Sequence, residues 1–159
     1  MTDPVDLFQA ERPRLRAIAY RVTGTPDDAD DVVQDAWLRF SGASTGDIAN
    51  VPAWLTTVTT RLALDRLRSA QHRKEHYVGP WMPEPTDRFG ADEDGPAHSA
   101  MMAESLTLGM LTVLERLSPL ERAVFVLHDV FAFPLVEIAT IIERSESATR
   151  QLARRARAH

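Results

Sequence analysis

Five arginines and one carboxylate fall between Arg144 and His159, giving this stretch +4 in a chain whose total is −5. At about 100° per residue, helical spacing gathers Ser147, Arg150, Gln151, Arg154, Arg155 and Arg157 into one arc. Ala148, Thr149, Leu152, Ala153 and Ala156 take the other. Guanidinium forks displayed this way can bind guanine O6 and N7 bidentately or grip phosphates. A merely solvated face usually alternates Glu with Lys or Arg at i,i+4 spacing, and this arc does not. Ser145 stands where an N-cap belongs, and the short amphipathic segment Leu135 to Ile142 precedes it across a tight turn. The pattern is a helix-turn-helix, whose second helix lies in the major groove.

Other chemistry is weakly supported. Asp30, Asp31 and Asp35 could be imagined as a metal or acid/base cluster. They read instead as an exposed acidic helix face, because nothing in the pattern buries them enough to shift their ionisation. His72 and His76 have the i,i+4 spacing of zinc ligands but lack a third ligand nearby. There is no Gly-rich phosphate loop, no cysteine nucleophile and no H-E-x-x-H. An enzyme is therefore not expected, and neither a metal nor a cofactor is.

The 159 residues suit one ordinary domain or two small ones. With no cysteine, disulfides and thiolate metal sites are ruled out, which fits a reducing cytoplasm. No run of about eighteen apolar residues occurs, and the N-terminus is too charged for a signal peptide, so a soluble intracellular protein without a membrane partner is expected. Charge is unevenly spread: −4 over 1–50, +3 over 51–76, −5 over 77–117 and +1 over 118–159. Two basic zones separated by an acidic stretch imply a partner with faces of both signs, or two partners.

The scaffold for these zones is helical. Asp3 to Arg21 reads as a helix anchored by Leu7, Phe8, Leu15, Ile18 and Ala19, with Pro13 as a bend or early-turn residue. Thr25 as N-cap, Pro26 at N1 and Asp27 and Asp28 in the first turn start a second helix, Asp27 to Phe40. Val32, Val33, Ala36, Trp37 and Phe40 form its apolar arc; Asp30, Asp31, Gln34 and Asp35 lie opposite, with Leu38 pointing out among them. That leucine is either an accident of composition or a docking surface. After the loop Ser41 to Val51, a helix is expected from Pro52 to about Lys74, although the β-branched run Thr56 to Thr60 would also suit a strand. Its cations, Arg66, Arg68, Arg73 and Lys74, either satisfy the helix end or face phosphates. Glu75 to His98, with four prolines and Asp92-Glu93-Asp94, reads as an extended linker, although the adhesive segment YVGPWMPEP could pack back onto a domain. A helix using Met101, Leu106, Met110, Val113 and Leu114 follows from Ala97 to Leu117. Ser118-Pro119-Leu120-Glu121 is a capping box that begins another, to about Val130. The expected fold is all-α: two small helical domains, 1–74 and 97–159, joined by a Pro-rich acidic linker, 75–96, the second domain ending in the helix-turn-helix.

DADDVVQDAWLRF, PAWLTTVTTRLALDRLR and LSPLERAVFVLHDVFAFPLVEIATIIERSESATRQLARRAR resemble, in order and spacing, the extracytoplasmic-function sigma factors of bacterial RNA polymerase, over residues 7–157. YVGPWMPEP is similar to the linker of the subgroup that carries a SnoaL-like domain after the last helix. The resemblance implies that the first domain binds the clamp helices of the polymerase β′ subunit through Asp31, Gln34, Asp35 and Leu38. It places Trp54, Arg61, Asp65 and Arg68 along minus-ten DNA, with the loop Ser44 to Asn50 receiving an unstacked base. Ser147, Arg150, Gln151, Arg154 and Arg155 would read the minus-thirty-five element. The implied partners are core RNA polymerase, through the β′ clamp helices and the β subunit, promoter DNA, and an anti-sigma factor or a regulatory C-terminal domain. Glu143 and Ala132 stand where the family often has turn glycines, and both raise the cost of a positive φ. The end at His159 leaves no room for a SnoaL-like domain, as in a truncation of a longer protein or a member without the extension. The competing readings are a stand-alone helix-turn-helix transcriptional regulator and a protein-binding helical adaptor.

Overall fold

A computed structural model describes residues 3–75 and 108–159. All of the expected linker but Glu75, which the structure places at the end of the third helix, lies outside the described residues, as do the start of the helix from Ala97, Met101, Leu106 and His76. Among those described there are helices and turns and no strand.

Helix α1 spans Pro4–Thr23. The Asp3 carboxylate accepts from the Val5 amide at 2.9 Å, satisfying one of the orphan donors of the first turn. Pro13 lies well inside this helix rather than at its start. Gly24 ends it at φ 88, donating its amide to Tyr20 O at 2.8 Å. The Thr25 hydroxyl then accepts from Asp28 N, and α2 runs Pro26–Gly42, two residues beyond the expected end. A single 3-10 turn, Thr45–Asp47, interrupts the loop that follows.

Helix α3 spans Val51–Glu75 and includes the whole β-branched run. Helix wins there because the threonine hydroxyls bond back along it, Thr56 to Pro52 O at 2.8 Å and Thr57 to Ala53 O at 3.0 Å, while Thr56, Thr59 and Thr60 are buried. The first three helices enclose an aromatic group in which Phe8 meets Trp37 at 5.2 Å and Phe40 meets Trp54 at 5.9 Å.

In the second half, α4 is helical over 108–114 and is anchored by buried Leu111 and Leu114, with buried Leu117 beyond it. Val113, expected as an apolar anchor, is 46% exposed, because the inward face follows Leu111 and Leu114. The capping box forms as expected: Glu121 N donates to Ser118 Oγ and Ser118 N to the Glu121 carboxylate, each at 3.3 Å. Helix α5, Pro119–Phe125, passes into a π-helical turn, Val126–Val130. After Ala132, at φ 59, come α6, Leu135–Ile142, and α7, Glu146–Ala158. Glu143 holds the turn between them at φ 58, so both positions take the left-handed geometry without glycine.

The two halves share one apolar core, with Leu15, Ile18 and Leu64 in the same buried cluster as Leu114, Leu127 and Ile138. Arg122, 3% exposed, donates from Nε to Arg21 O at 2.8 Å. Its Nη2 would sit 3.0 Å from a Cβ at position 24. Burial lowers this guanidinium to about 10, against the opposing pull of Glu115. Arg21 in turn lies with its guanidinium carbon 5.6 Å from the Phe131 ring centre, and desolvation lowers it too.

Candidate nucleic-acid interface

Helix α7 divides as its sequence requires. Ser145 caps it, accepting from Ala148 N at 3.1 Å, and the Thr149 hydroxyl bonds back to Ser145 O at 2.8 Å. Thr149, Ala153 and Ala156 are buried against the preceding helices, so the thin face is the inner one. Ser147, Arg150, Gln151, Arg154 and Arg155 are all exposed on the outer face. No described carboxylate forms an ion pair with Arg150, Arg154 or Arg155, which leaves their donors available to an external anion or base edge. Arg157 is the exception: its Nε lies 3.2 Å from Asp129 Oδ1, and that hydrogen bond raises its pKa. Arg150, Arg154 and Arg157 line a cleft of about 250 Å³ with His128 and Leu135.

The residues expected along minus-ten DNA are split. Arg61, Asp65 and Arg68 lie on one side of α3, exposed, and share a cleft of about 230 Å³. Its opposite wall is Ile141, Ile142, Glu143 and Arg144, at the turn of the helix-turn-helix. Arg61 crosses it, with Nε donating to Ile141 O at 2.9 Å and Nη2 to Thr140 O at 3.3 Å, and its Nη2 stands 3.4 Å from the Glu143 carboxylate. Asn50 and Trp54 lie at the other end of the helix. Asn50 Oδ1 accepts from Ala53 N at 3.1 Å, and half-buried Trp54 packs on Phe40. Asn50 thus acts as a cap for α3, a role visible in its place two residues before Pro52.

On α2, Asp31, Gln34 and Leu38 are exposed and Asp35 is half-buried; Leu38 is 59% exposed. Arg66 of α3 reaches the acidic face, with Nη1 3.0 Å from Asp31 and 3.3 Å from Asp28 and Nη2 4.0 Å from Asp35. Asp30 pairs with Arg16 at 2.8 Å. The face is therefore less negative than the sequence implies. Neither arginine was legible as its partner, since 14 or more residues separate them from these carboxylates. Gln34 also borders a groove of about 250 Å³ between α1 and α2, floored by Phe8, Val33 and Trp37.

A helical first domain with an acidic, leucine-bearing face is thus followed by a second that ends in an arginine-faced helix-turn-helix. The family model for sigma-70 region 2 matches residues 7–73, and that for sigma-70 region 4 matches residues 108–159. The chain is 51% identical over 153 residues to the ECF RNA polymerase sigma factor SigJ of Mycobacterium tuberculosis, covering 96% of this chain and 48% of that protein. It is 40% identical over 158 residues to the probable ECF sigma factor SigI of the same species, covering 98% and 53%. The crystal structure of M. tuberculosis SigJ superposes with a TM-score of 0.73 at 47% identity, over 97% of this chain and 52% of that one. The sigma factor RpoE of Bartonella quintana, solved with the anti-sigma factor NepR, shares the fold at 20% identity and a TM-score of 0.63, over 94% and 89%. The chain belongs to the sigma-70 family, among its extracytoplasmic-function members. It spans about half the length of SigJ and SigI, and those relatives are sigma factors rather than enzymes.

Proposed function

We propose that this chain directs core RNA polymerase to specific promoters and aids their opening, without enzymatic activity, metal or cofactor of its own. The outer face of α7 carries the reading: three exposed arginines without an ion pair to any described residue, beside Ser147 and Gln151, would read the minus-thirty-five element in the major groove. Asn50, Trp54, Arg61, Asp65 and Arg68 would follow minus-ten DNA, and Asp31, Gln34, Asp35 and Leu38 would meet the β′ clamp helices, with the β subunit a further contact. The units at work are 1–74 and 97–159, tethered by 75–96. No described helix is long and apolar enough to cross a membrane, and the cytoplasm, where polymerase and promoter are, is the expected location. An anti-sigma factor or a regulatory C-terminal domain is a further partner in this reading.

Run-off transcription with core polymerase on a randomised promoter library tests the reading. Discrete start sites sharing two upstream motifs are expected; transcription no different from core enzyme alone overturns it. In the same assay Leu38→Asp is expected to weaken assembly with core enzyme while helical content stays unchanged, and normal assembly would remove α2 from the polymerase contact.

A further inference from the structure

The two domains grip each other by the same device used twice. The last carbonyls of a helix have no partner within it, and a cation is favoured at that end. Arg122 of α5 donates to Arg21 O at the end of α1, and Arg61 of α3 donates to Ile141 O and Thr140 O at the end of α6. Each domain thus closes a helix terminus of the other with an arginine. The first contact is sealed, because Gly24 leaves room for the Arg122 guanidinium where any Cβ would crowd it at 3.0 Å. The second is open to solvent, with the Arg61 side chain 44% exposed.

We infer that these reciprocal arginine contacts latch the free chain in a closed, self-masked state, in which the helix-turn-helix turn occupies the promoter-opening face of α3. The inference rests on the reading of Arg61, Asp65 and Arg68 as DNA contacts. All three line the cleft whose far wall is residues 141–144, and two of the five Arg61 N–H donors, on Nε and Nη2, are engaged by α6 carbonyls. Single-stranded DNA and the α6 terminus therefore compete for one guanidinium. Opening exposes Arg122 and frees Arg61 together, so a partner that binds the open form draws the equilibrium toward it.

The chain has no cysteine, so dyes can be placed on the full-length protein at Ala10→Cys and Ala158→Cys, both at exposed positions, and energy transfer between them reads closure. High transfer is expected for the parent, and Arg61→Ala, an exposed substitution within a helix, is expected to lower it. Arg122→Ala should lower it as well, and should raise affinity for a labelled pool of randomised single-stranded DNA of roughly ten nucleotides severalfold, because Arg61 is released. Each charge-assisted contact is worth on the order of tenfold in such an equilibrium. Unchanged transfer in Arg61→Ala overturns the latch, whatever the folding of the Arg122 variant. Lower transfer in a helical Arg122→Ala without a gain in DNA affinity overturns the masking. Silence in run-off transcription with both transfer changes intact would instead reject the promoter reading and leave the latch standing.

Discussion

Helices α3 and α7 are both rich in arginine, and the difference between them shows what such residues can mean. On α7 the inner residues are small, no described carboxylate pairs with Arg150, Arg154 or Arg155, and the guanidinium groups project into solvent. On α3, Arg66 is held by Asp28 and Asp31, Arg61 is bound to α6, and Arg68 alone of the three keeps an open position beside the cleft. The first row is a free surface. The second is also mortar between elements, so its composition reports packing and function at once.

Substitutions can break or sharpen this contrast. The largest effect is expected from Phe40→Ala, which empties a fully buried site at the centre of the first domain's aromatic group and should cost about 3–5 kcal/mol of stability. Urea unfolding followed by a probe in each domain will show whether the shared core couples them; coincident transitions are expected. Next, Arg150→Ala or Arg154→Ala should each lose about 1–3 kcal/mol of minus-thirty-five discrimination where the contact is bidentate, leaving unfolding unchanged. Promoter selection that is unaltered in both would make α7 as structural as α3. Smallest, Ala132→Gly relieves a left-handed alanine but adds freedom to the unfolded chain, so a gain of less than about 1 kcal/mol is expected in the same urea titration.

Local signals carried most of the helical reading. Thr25 with Pro26, Ser118 with Glu121, and Ser145 before the arginine arc each mark a helix start through a hydrogen bond spanning at most three residues, and each forms. The exposure of Leu38 and the inner and outer faces of α7 follow from periodicity in the same way. The strand-like look of Thr56 to Thr60 misleads because a propensity scale omits the back-bonding hydroxyls and the neighbours that bury them. Val113 was assigned inward from spacing alone, and the actual packing direction of α4 turns it out. The arginine contacts between domains left no local trace: Arg61 and Ile141 are 80 residues apart, Arg122 and Arg21 are 101. So the exposure of the α7 arginines was legible, whereas the engagement of Arg61 by α6 was not.

The close fit of Arg122 over Gly24 ties two distant codons together. A lineage that put a side chain at position 24 would meet the positive φ there as well as the guanidinium 3.0 Å away, and one that shortened position 122 would leave an unfilled hollow above the glycine. Descendants of this chain should therefore keep the glycine together with a long side chain at 122, a pairing that aligned orthologues would reveal.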